Sequence, residues 1–238
     1  EIDAVLLTHA HIDHSGLLPK LVKHGFRGPI YATAPTKDLC SIMLPDSAYI
    51  QESEVERKNR KLARQGQPLL NPIYTVADAY ETMKQFEVID YYRRVALSPH
   101  IVAVARPSGH VLGSALFELH VLDGKERTTL LFTGDLGARD RPLVPDPEKP
   151  GRADFVIMES TYGDRERLEP EDNFASLGTI IADTFRRGGN VIIPAFAVER
   201  TQDLLYGLNK LIHSGALPPQ HVYVDSPLAI EASEIFAR

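Results

Sequence analysis

The sequence predicts an α/β fold, because short apolar, β-branched runs alternate along the chain with segments of helical periodicity. A hairpin signal, Asp123-Gly124, lies between two of the apolar runs. The chain has 238 residues and is 43% hydrophobic, enough for one large or two modest domains with a buried core.

Strands are predicted where the apolar runs are bounded by turn residues, at 2–8, 29–32, 100–106, 114–122, 128–133, 155–159, 190–194 and 221–225. Helices are predicted at 16–24, 36–65, 76–86, 173–187, 199–213 and 228–237. Thr75 and Asp78 resemble a capping box at the third helix, and Gly188-Gly189 ends the fourth. The Pro-rich segment 141–151 is predicted to be a loop, and the charged segment 52–64 a solvated helix face.

The formal net charge of −6 argues against a broad basic surface for nucleic acid. It does not exclude a nuclease, since bound metals and a local arginine cluster can dominate one cleft. Cys40 is the single cysteine, which excludes an intramolecular disulfide and fits a reducing compartment. No apolar run approaches the ~20 residues of a membrane span. We therefore expect no membrane association and a cytoplasmic location, or a nuclear one in a eukaryote.

The segment LLTHAHIDHSG (6–16) concentrates metal-ligand residues where the first predicted strand ends. Residues i and i+2 of an extended segment point the same way, so His9 and His11 can bind one metal together. Asp13 and His14 follow at the turn and can face a second metal. Imidazole and carboxylate ligands suit zinc, with iron or manganese as alternatives. The alternative interpretation is a polar surface turn with unrelated histidines.

Two later segments supply further ligands. PSGHVLGSA (107–115) places His110 between glycines after a strand, and LLFTGDLG (130–137) places Asp135 at the end of another. Either one alone is typical of an ordinary turn. Together they predict that His9, His11 and His110 hold one metal, Asp13 and His14 the other, and that Asp135 bridges them. A two-metal centre activates water and stabilises a displacement at an ester or phosphorus centre, which predicts a hydrolase.

With H-x-H-x-D-H, a glycine-flanked histidine and a strand-end aspartate, the chain resembles the metallo-β-lactamase superfamily. The segments VIMESTYGDR (156–165), VIIPAFAVERTQDLLYGL (191–208) and VYVDSPLAIEASEIF (222–236) resemble the β-CASP nucleases within it. These include the endonuclease subunit of mRNA 3′-end cleavage and polyadenylation. The resemblance runs nearly end to end. It implies a metallo-β-lactamase αββα sandwich over 1–165, incomplete at its N-terminus, running into a truncated α/β β-CASP domain over 166–238.

The resemblance also implies a zinc-dependent ribonuclease, in which a hydroxide activated by two zinc ions attacks an RNA phosphodiester. Asp13 and Glu159 are the candidate catalytic residues, and Glu159 would orient a catalytic histidine from later in the chain. The alternative role for Glu159 is to cap the turn that follows its strand. Arg200 and Ser226 are the candidate substrate-binding residues, although a surface salt bridge is an alternative for Arg200.

Some residues of the family pattern have no counterpart in the sequence. The family's first aspartate would precede residue 1, and two histidines, one a ligand of the second metal, would follow residue 238. We therefore expect a fragment of a longer protein, with hydrolysis weak or absent in the fragment itself. Expected partners are RNA and either a second copy in a homodimer or subunits of an RNA-processing complex. Two rival functions remain, a small-molecule hydrolase such as a thioesterase or lactonase, and a non-catalytic scaffold subunit.

Overall fold

The structure is a computed structural model that describes residues 2–165 and 173–238. The chain forms two compact units, Glu1–Glu159 and Ser160–Arg238. The predicted domain boundary after residue 165 lies where the first described range ends, and the predicted assignment of the two domains stays a prediction.

The first unit contains all the strands that the described residues form. They are β1 (Val5–Leu6), β2 (Ile30–Ala32), β3 (Phe86–Val88), β4 (Arg94–Ser98), β5 (Ile101–Pro107), β6 (Ala115–Asp123), β7 (Glu126–Phe132) and β8 (Phe155–Ile157). Its helices are α1 (Ile12–Ser15), α2 (Leu18–Lys23), α3 (Ala34–Arg64) and α4 (Val76–Met83).

The strands form two sheets. The first has the order β1-β2-β3 and is parallel throughout, while the second has the order β4-β5-β6-β7-β8. Strands β4 to β7 are antiparallel, and β8 adds parallel to β7. The predicted hairpin at Asp123-Gly124 joins β6 to β7 and is confirmed, with Gly124 at φ 59°.

Residues from both sheets share one core. A buried cluster of Ile89, Ala105, Ala115 and Phe117 is covered by partly buried Leu6, Tyr31, Tyr91 and Val95. Strands of the first sheet therefore pack against the faces of β5 and β6, which confirms the predicted α/β class and its layered arrangement.

Helix α3 covers the core with its first half and extends into solvent with its second. Thr33 is its N-cap, and the Thr33 hydroxyl accepts a hydrogen bond from the backbone N–H of Thr36. The buried residues of α3 all precede residue 49, and residues 53–64 are mostly exposed, as the sequence predicted. Among the described residues, no helix combines the length and the apolar character that crossing a membrane requires.

Both predicted helix-end motifs are confirmed. At α4 the Thr75 hydroxyl accepts from the backbone N–H of Asp78, while the Asp78 carboxylate accepts from the backbone N–H of Thr75. In the second unit, Gly188 lies at φ 73° and Gly189 donates its N–H to the carbonyl of Thr184.

In the first unit, the sequence analysis misplaced one helix end and missed two strands. The predicted helix 76–86 ends at Met83, because Phe86 already begins β3, which pairs with β2. Strand β4 was not predicted at all. Both strands are short. Strand β3 depends on pairing with the distant β2, which local sequence patterns do not contain, whereas β4 pairs with the next strand along the chain, β5.

The second unit contains α5 (Asn173–Arg186), α6 (Arg200–His213) and α7 (Pro227–Phe236), close to the predicted helices. The strands predicted at 190–194 and 221–225 are not formed. Instead, both segments line a cavity of about 900 Å³ together with side chains of the helices. A strand needs neighbours for its backbone N–H and C=O groups, and neither segment forms a ladder with another described segment.

Candidate metal centre

The first ligand segment follows β1 directly. The His9 side chain is completely buried, and its Nδ1 lies 3.1 Å from the hydroxyl oxygen of Thr8. With its proton on Nδ1, His9 donates to Thr8 and presents the lone pair of Nε2 to the site. Nε2 is itself buried and has no hydrogen-bond partner among the described residues. A buried, unpartnered acceptor is costly, so this atom calls for a ligand that the protein does not supply.

His110 reaches the same place from the loop between β5 and β6. The Ser114 hydroxyl accepts hydrogen bonds from the backbone N–H groups of His110 at 3.0 Å and Val111 at 3.2 Å. The carbonyl of Gly113 accepts from the Thr33 hydroxyl at 2.6 Å and the Thr36 hydroxyl at 2.9 Å. The first turn of α3 thus anchors the loop that carries His110.

This anchoring brings together two histidines that are distant in sequence. Nε2 of His110 lies 3.1 Å from Nδ1 of His11, the N-cap residue of α1. The rings of His9 and His110 also approach edge to face, with centroids 4.9 Å apart. The structure therefore assembles the three histidines that the sequence assigned to one metal.

Asp135 follows β7 and completes the group. Its Oδ2 lies 3.4 Å from Nε2 of His110 and 3.8 Å from Nε2 of His9. Its other oxygen, Oδ1, lies 3.3 Å from Nε2 of His14. One carboxylate therefore faces histidines on two sides, as expected of a bridging ligand.

Two glycines make the approach of Asp135 possible. Gly134 has φ 54°, and a Cβ there would lie 2.7 Å from Cβ of Thr8. A Cβ on Gly137 would lie 1.6 Å from the carbonyl oxygen of Gly109 in the His110 loop. The glycines that flank Asp135 in the sequence therefore permit contact between this turn and both other ligand segments.

The assembled side chains fit a divalent cation. His9, His11, His110 and Asp135 each offer one ligand atom, and these atoms all lie within 4.8 Å of one another. Three imidazoles and one carboxylate form a donor set typical of zinc and related divalent metals. The unpartnered Nε2 of His9 is the atom such an ion would satisfy.

The electrostatics of the histidines also suit metal binding. Burial, with smaller contributions from His14, His11 and His110, lowers the pKa of His9 to about 2. Burial likewise lowers the pKa of His11 and of His110. All three imidazoles are therefore neutral near pH 7, and the neutral form is the one that coordinates a metal.

The predicted ligands of a second metal are less closely grouped. His14 lies beside Asp135, but the Asp13 side chain is 76% exposed, with Oδ2 3.6 Å from Nε2 of His14. Asp13 stands outside the compact donor group. Its assignments as a metal ligand and as a catalytic residue stay predictions.

Glu159 lies just beyond β8, beside the Asp135 turn. Its Oε1 accepts a hydrogen bond of 2.7 Å from the backbone N–H of Leu136, the residue after Asp135. Its charge also raises the pKa of His110, against the larger effect of burial. Glu159 thus caps the Asp135 turn after β7, which is not the turn considered for it from sequence, and does so within electrostatic range of the ligands. Its catalytic role stays a prediction.

Several residues that position the ligands were missed by sequence analysis. Besides Thr8 and Ser114, Arg141 donates from Nη1 to the carbonyl oxygen of His110 at 3.0 Å. The hydroxyl residues carry no local signal, because serine and threonine are common at strand ends. Arg141 lies in the Pro-rich loop 141–151, which the structure confirms as irregular.

The predicted substrate-binding residues belong to the second unit. Arg200 is exposed, begins α6 and forms no ion pair with any other described residue. Ser226 is the N-cap of α7, and its hydroxyl accepts a hydrogen bond of 3.2 Å from the backbone N–H of Ala229. Ser226 therefore has a structural role. Contact with substrate stays a prediction for both residues.

Comparison with known proteins agrees with this site. The family model described as a metallo-beta-lactamase superfamily domain matches residues 1–133. Ribonuclease TTHA0252 of Thermus thermophilus is 37% identical over 238 residues, covering 100% of this chain and 49% of the relative. Transcription termination factor FttA of Methanothermobacter thermautotrophicus is 37% identical over 227 residues, covering 94% of this chain and 33% of the relative. The chain thus spans between a third and a half of the curated relatives it matches.

A solved structure shares the fold. The crystal structure of a protein of unknown function from Enterococcus faecalis matches with a TM-score of 0.53 at 16% identity, covering 99% of this chain and 49% of that one.

The matched family segment ends at Thr133, so it contains five predicted ligands, His9, His11, Asp13, His14 and His110, but stops just short of Asp135. The ribonuclease and termination-factor relatives extend over the rest of the chain. They confirm the resemblance to the β-CASP nucleases. The predicted fold is confirmed as well. The chain belongs to the metallo-β-lactamase superfamily.

Proposed function

We propose that the protein to which this chain belongs is a zinc-dependent ribonuclease that hydrolyses RNA phosphodiester bonds. One observation carries the proposal: His9, His11, His110 and Asp135 place their ligand atoms within 4.8 Å of one another. They do so in a chain that resembles a ribonuclease over its entire length.

Two metal positions are part of the proposal. His9, His11 and His110 would hold the first ion, Asp13 and His14 would contribute to the second, and Asp135 would bridge them. When bound, the ions supply an activated water and stabilise negative charge on phosphoryl oxygens. Zinc is the choice that fits three imidazoles and a carboxylate best.

The protein's own groups orient the ligands and handle the proton. Thr8 fixes the ring of His9, and Arg141 holds the backbone of His110. The exposed carboxylate of Asp13, next to His14, would accept a proton from an attacking water. Glu159, held by the N–H of Leu136, would orient the catalytic histidine expected later in the chain, and that histidine would protonate the leaving oxygen.

Arg200 and Ser226 are the proposed substrate-binding residues. Arg200 is always charged and is exposed at the start of α6, so it suits an RNA phosphate. Ser226 would also contact the substrate. A cytoplasmic location, or a nuclear one in a eukaryote, and assembly as a homodimer or within an RNA-processing complex belong to the same proposal.

The full-length protein tests the proposal directly. We expect it to contain bound zinc and to cleave structured or single-stranded RNA while leaving thioester and lactone substrates intact. His110→Ala should abolish metal binding or cleavage, whereas His100→Ala, at an exposed turn, should change neither. Thioester turnover without RNA cleavage would show a small-molecule hydrolase. Less than one zinc per chain, with no cleavage, would show a scaffold subunit.

A further inference from the structure

The exposed end of α3 carries a one-sided row of cations. Residues 57–64 read RKNRKLAR, with five basic residues and no acidic one. Arg57, Arg60, Lys61 and Arg64 stand at i, i+3, i+4 and i+7, the spacing that places side chains on one face of a helix. All four are exposed. We call these four residues the basic stripe.

The acidic residues of the same helix do not neutralise the basic stripe. Glu54 pairs with Lys58, which lies beside the stripe, and Glu56 pairs with Arg60. Both ion pairs are exposed, so the attraction within each pair is weak. Among the described residues, Arg57, Lys61 and Arg64 have no ion-pair partner. Their charge is therefore open to a ligand.

The opposite face of α3 is covered. Asn59 lies about 200° around the helix from Arg57 at 100° per residue. Its side-chain amide donates to the carbonyl of Leu70, and its carbonyl accepts from the N–H of Leu70, both at 2.8 Å. This pair of hydrogen bonds fastens the following loop to the back of the helix and leaves the basic stripe facing solvent.

An aromatic residue extends the exposed face. Tyr49 is 65% exposed and lies two turns before Arg57, within about 80° of it around the helix. Exposed aromatic rings beside a row of cations are the combination that binds single-stranded nucleic acid, through base stacking and phosphate contacts.

The helix also links the basic stripe to the metal centre. Thr33 and Thr36, at the start of α3, bond the carbonyl of Gly113 in the His110 loop. At 1.5 Å rise per residue, Arg57 lies roughly 30 Å along the helix from this contact and Arg64 roughly 40 Å. The basic stripe is thus a second surface on the unit that carries the metal ligands.

We propose that the basic stripe binds the phosphate backbone of single-stranded RNA whose other part occupies the metal centre. This inference rests on the proposed function for the RNA that reaches the metal centre, and it adds a remote docking surface. The chain has a net charge of −6, so the surface outside the basic stripe repels a polyanion. Bound RNA should therefore concentrate at the basic stripe.

The test compares two quadruple variants of the full-length protein. One replaces Arg57, Arg60, Lys61 and Arg64 with Gln. The matched control replaces four exposed cations elsewhere in the first unit with Gln, namely Lys84, Arg93, Lys125 and Arg127. The two variants change net charge equally, so a difference between them reports position. Metal content and circular dichroism establish that both remain folded.

We expect the stripe variant to bind an RNA of about 30 nucleotides at least tenfold more weakly than the control variant. The slope of log K against log salt should be smaller by up to about 3, from roughly 0.7 per lost phosphate contact on a single strand. Binding of an RNA of about 4 nucleotides, too short to span both surfaces, should be unchanged.

Two outcomes would overturn the inference: equal affinity and salt slope in the two variants, or a wild-type protein that does not bind long RNA. If wild type cleaves RNA while the variants bind alike, the inference fails and the proposed function stands. If wild type binds long RNA through the stripe but cleaves none, the proposed function fails, and of the inference only RNA binding by the stripe stands.

Discussion

Oδ1 of Asp135 lies 3.3 Å from Nε2 of His14, while Oδ2 of the same carboxylate faces His110 at 3.4 Å. Asp135 is therefore the residue that contacts predicted ligands of both metal positions. A neutral side chain of the same shape would lose the charge that both positions need.

Asp135→Asn is accordingly expected to reduce bound metal to well under one ion per chain and to abolish RNA cleavage by the full-length protein. The measurement is metal content by elemental analysis after dialysis, alongside a cleavage assay. Asp123→Asn, at the exposed β6–β7 hairpin, is the matched control and should retain the wild-type metal content. Full metal content in Asp135→Asn would show that the carboxylate is not a ligand.

Thr8→Val tests how His9 is oriented. Valine keeps the shape that packs against Gly134 but removes the oxygen 3.1 Å from Nδ1 of His9. Loss of such a supporting hydrogen bond typically costs 10–100-fold in metal affinity, and we expect a fall in this range by competition with a chelator. Thr8→Ser, which keeps the hydroxyl, should restore most of the affinity. Equal affinity in Thr8→Val and wild type would remove Thr8 from the site.

Glu159→Gln separates a supporting role from a ligand role. The glutamine Oε1 can still accept from Leu136 N–H, so the turn should persist and metal content should stay near normal. Cleavage should slow by about 10²–10⁴-fold, as expected for a disabled acid–base element. If Glu159→Gln strips the metal, then Glu159 contributes to metal binding and its proposed role is wrong.

The buried histidines make the stability of the metal-free protein depend on pH. Burial lowers the pKa of His9 to about 2 in the folded state, whereas an unfolded histidine titrates near 6.5. Below about pH 6.5 the unfolded state therefore binds a proton at His9 that the folded state does not bind. The free energy of unfolding consequently decreases as pH falls. The slope is up to about 1.4 kcal/mol per pH unit for each such histidine.

Urea unfolding in the presence of a chelator, between about pH 5 and pH 7.5, measures this slope. His9→Gln removes one of the titrating groups and should make the unfolding free energy less dependent on pH over that range. An unchanged slope in His9→Gln would mean that His9 is not held neutral by burial.

The ligand residues were predictable because their signal is local. The alternation of His9 and His11, and the glycines around Asp135, are visible within a few residues. The residues that position the ligands were not predictable, because Thr8, Ser114 and Arg141 act through contacts that form only in the folded chain. The same limit applies to β3, which was missed and pairs with the distant β2, and to 190–194, where apolar β-branched residues form no ladder among the described residues.

The position of a bound metal tests the central claim most directly. The measurement is anomalous diffraction at the zinc edge from crystals of the full-length protein. We predict a peak coordinated by Nε2 of His9, Nδ1 of His11 and Nε2 of His110, at the ~2.0–2.1 Å typical of zinc–nitrogen bonds. An oxygen of Asp135 should lie between this peak and a second one near His14. Zinc bound elsewhere, with Nε2 of His9 left without a ligand, would contradict the account.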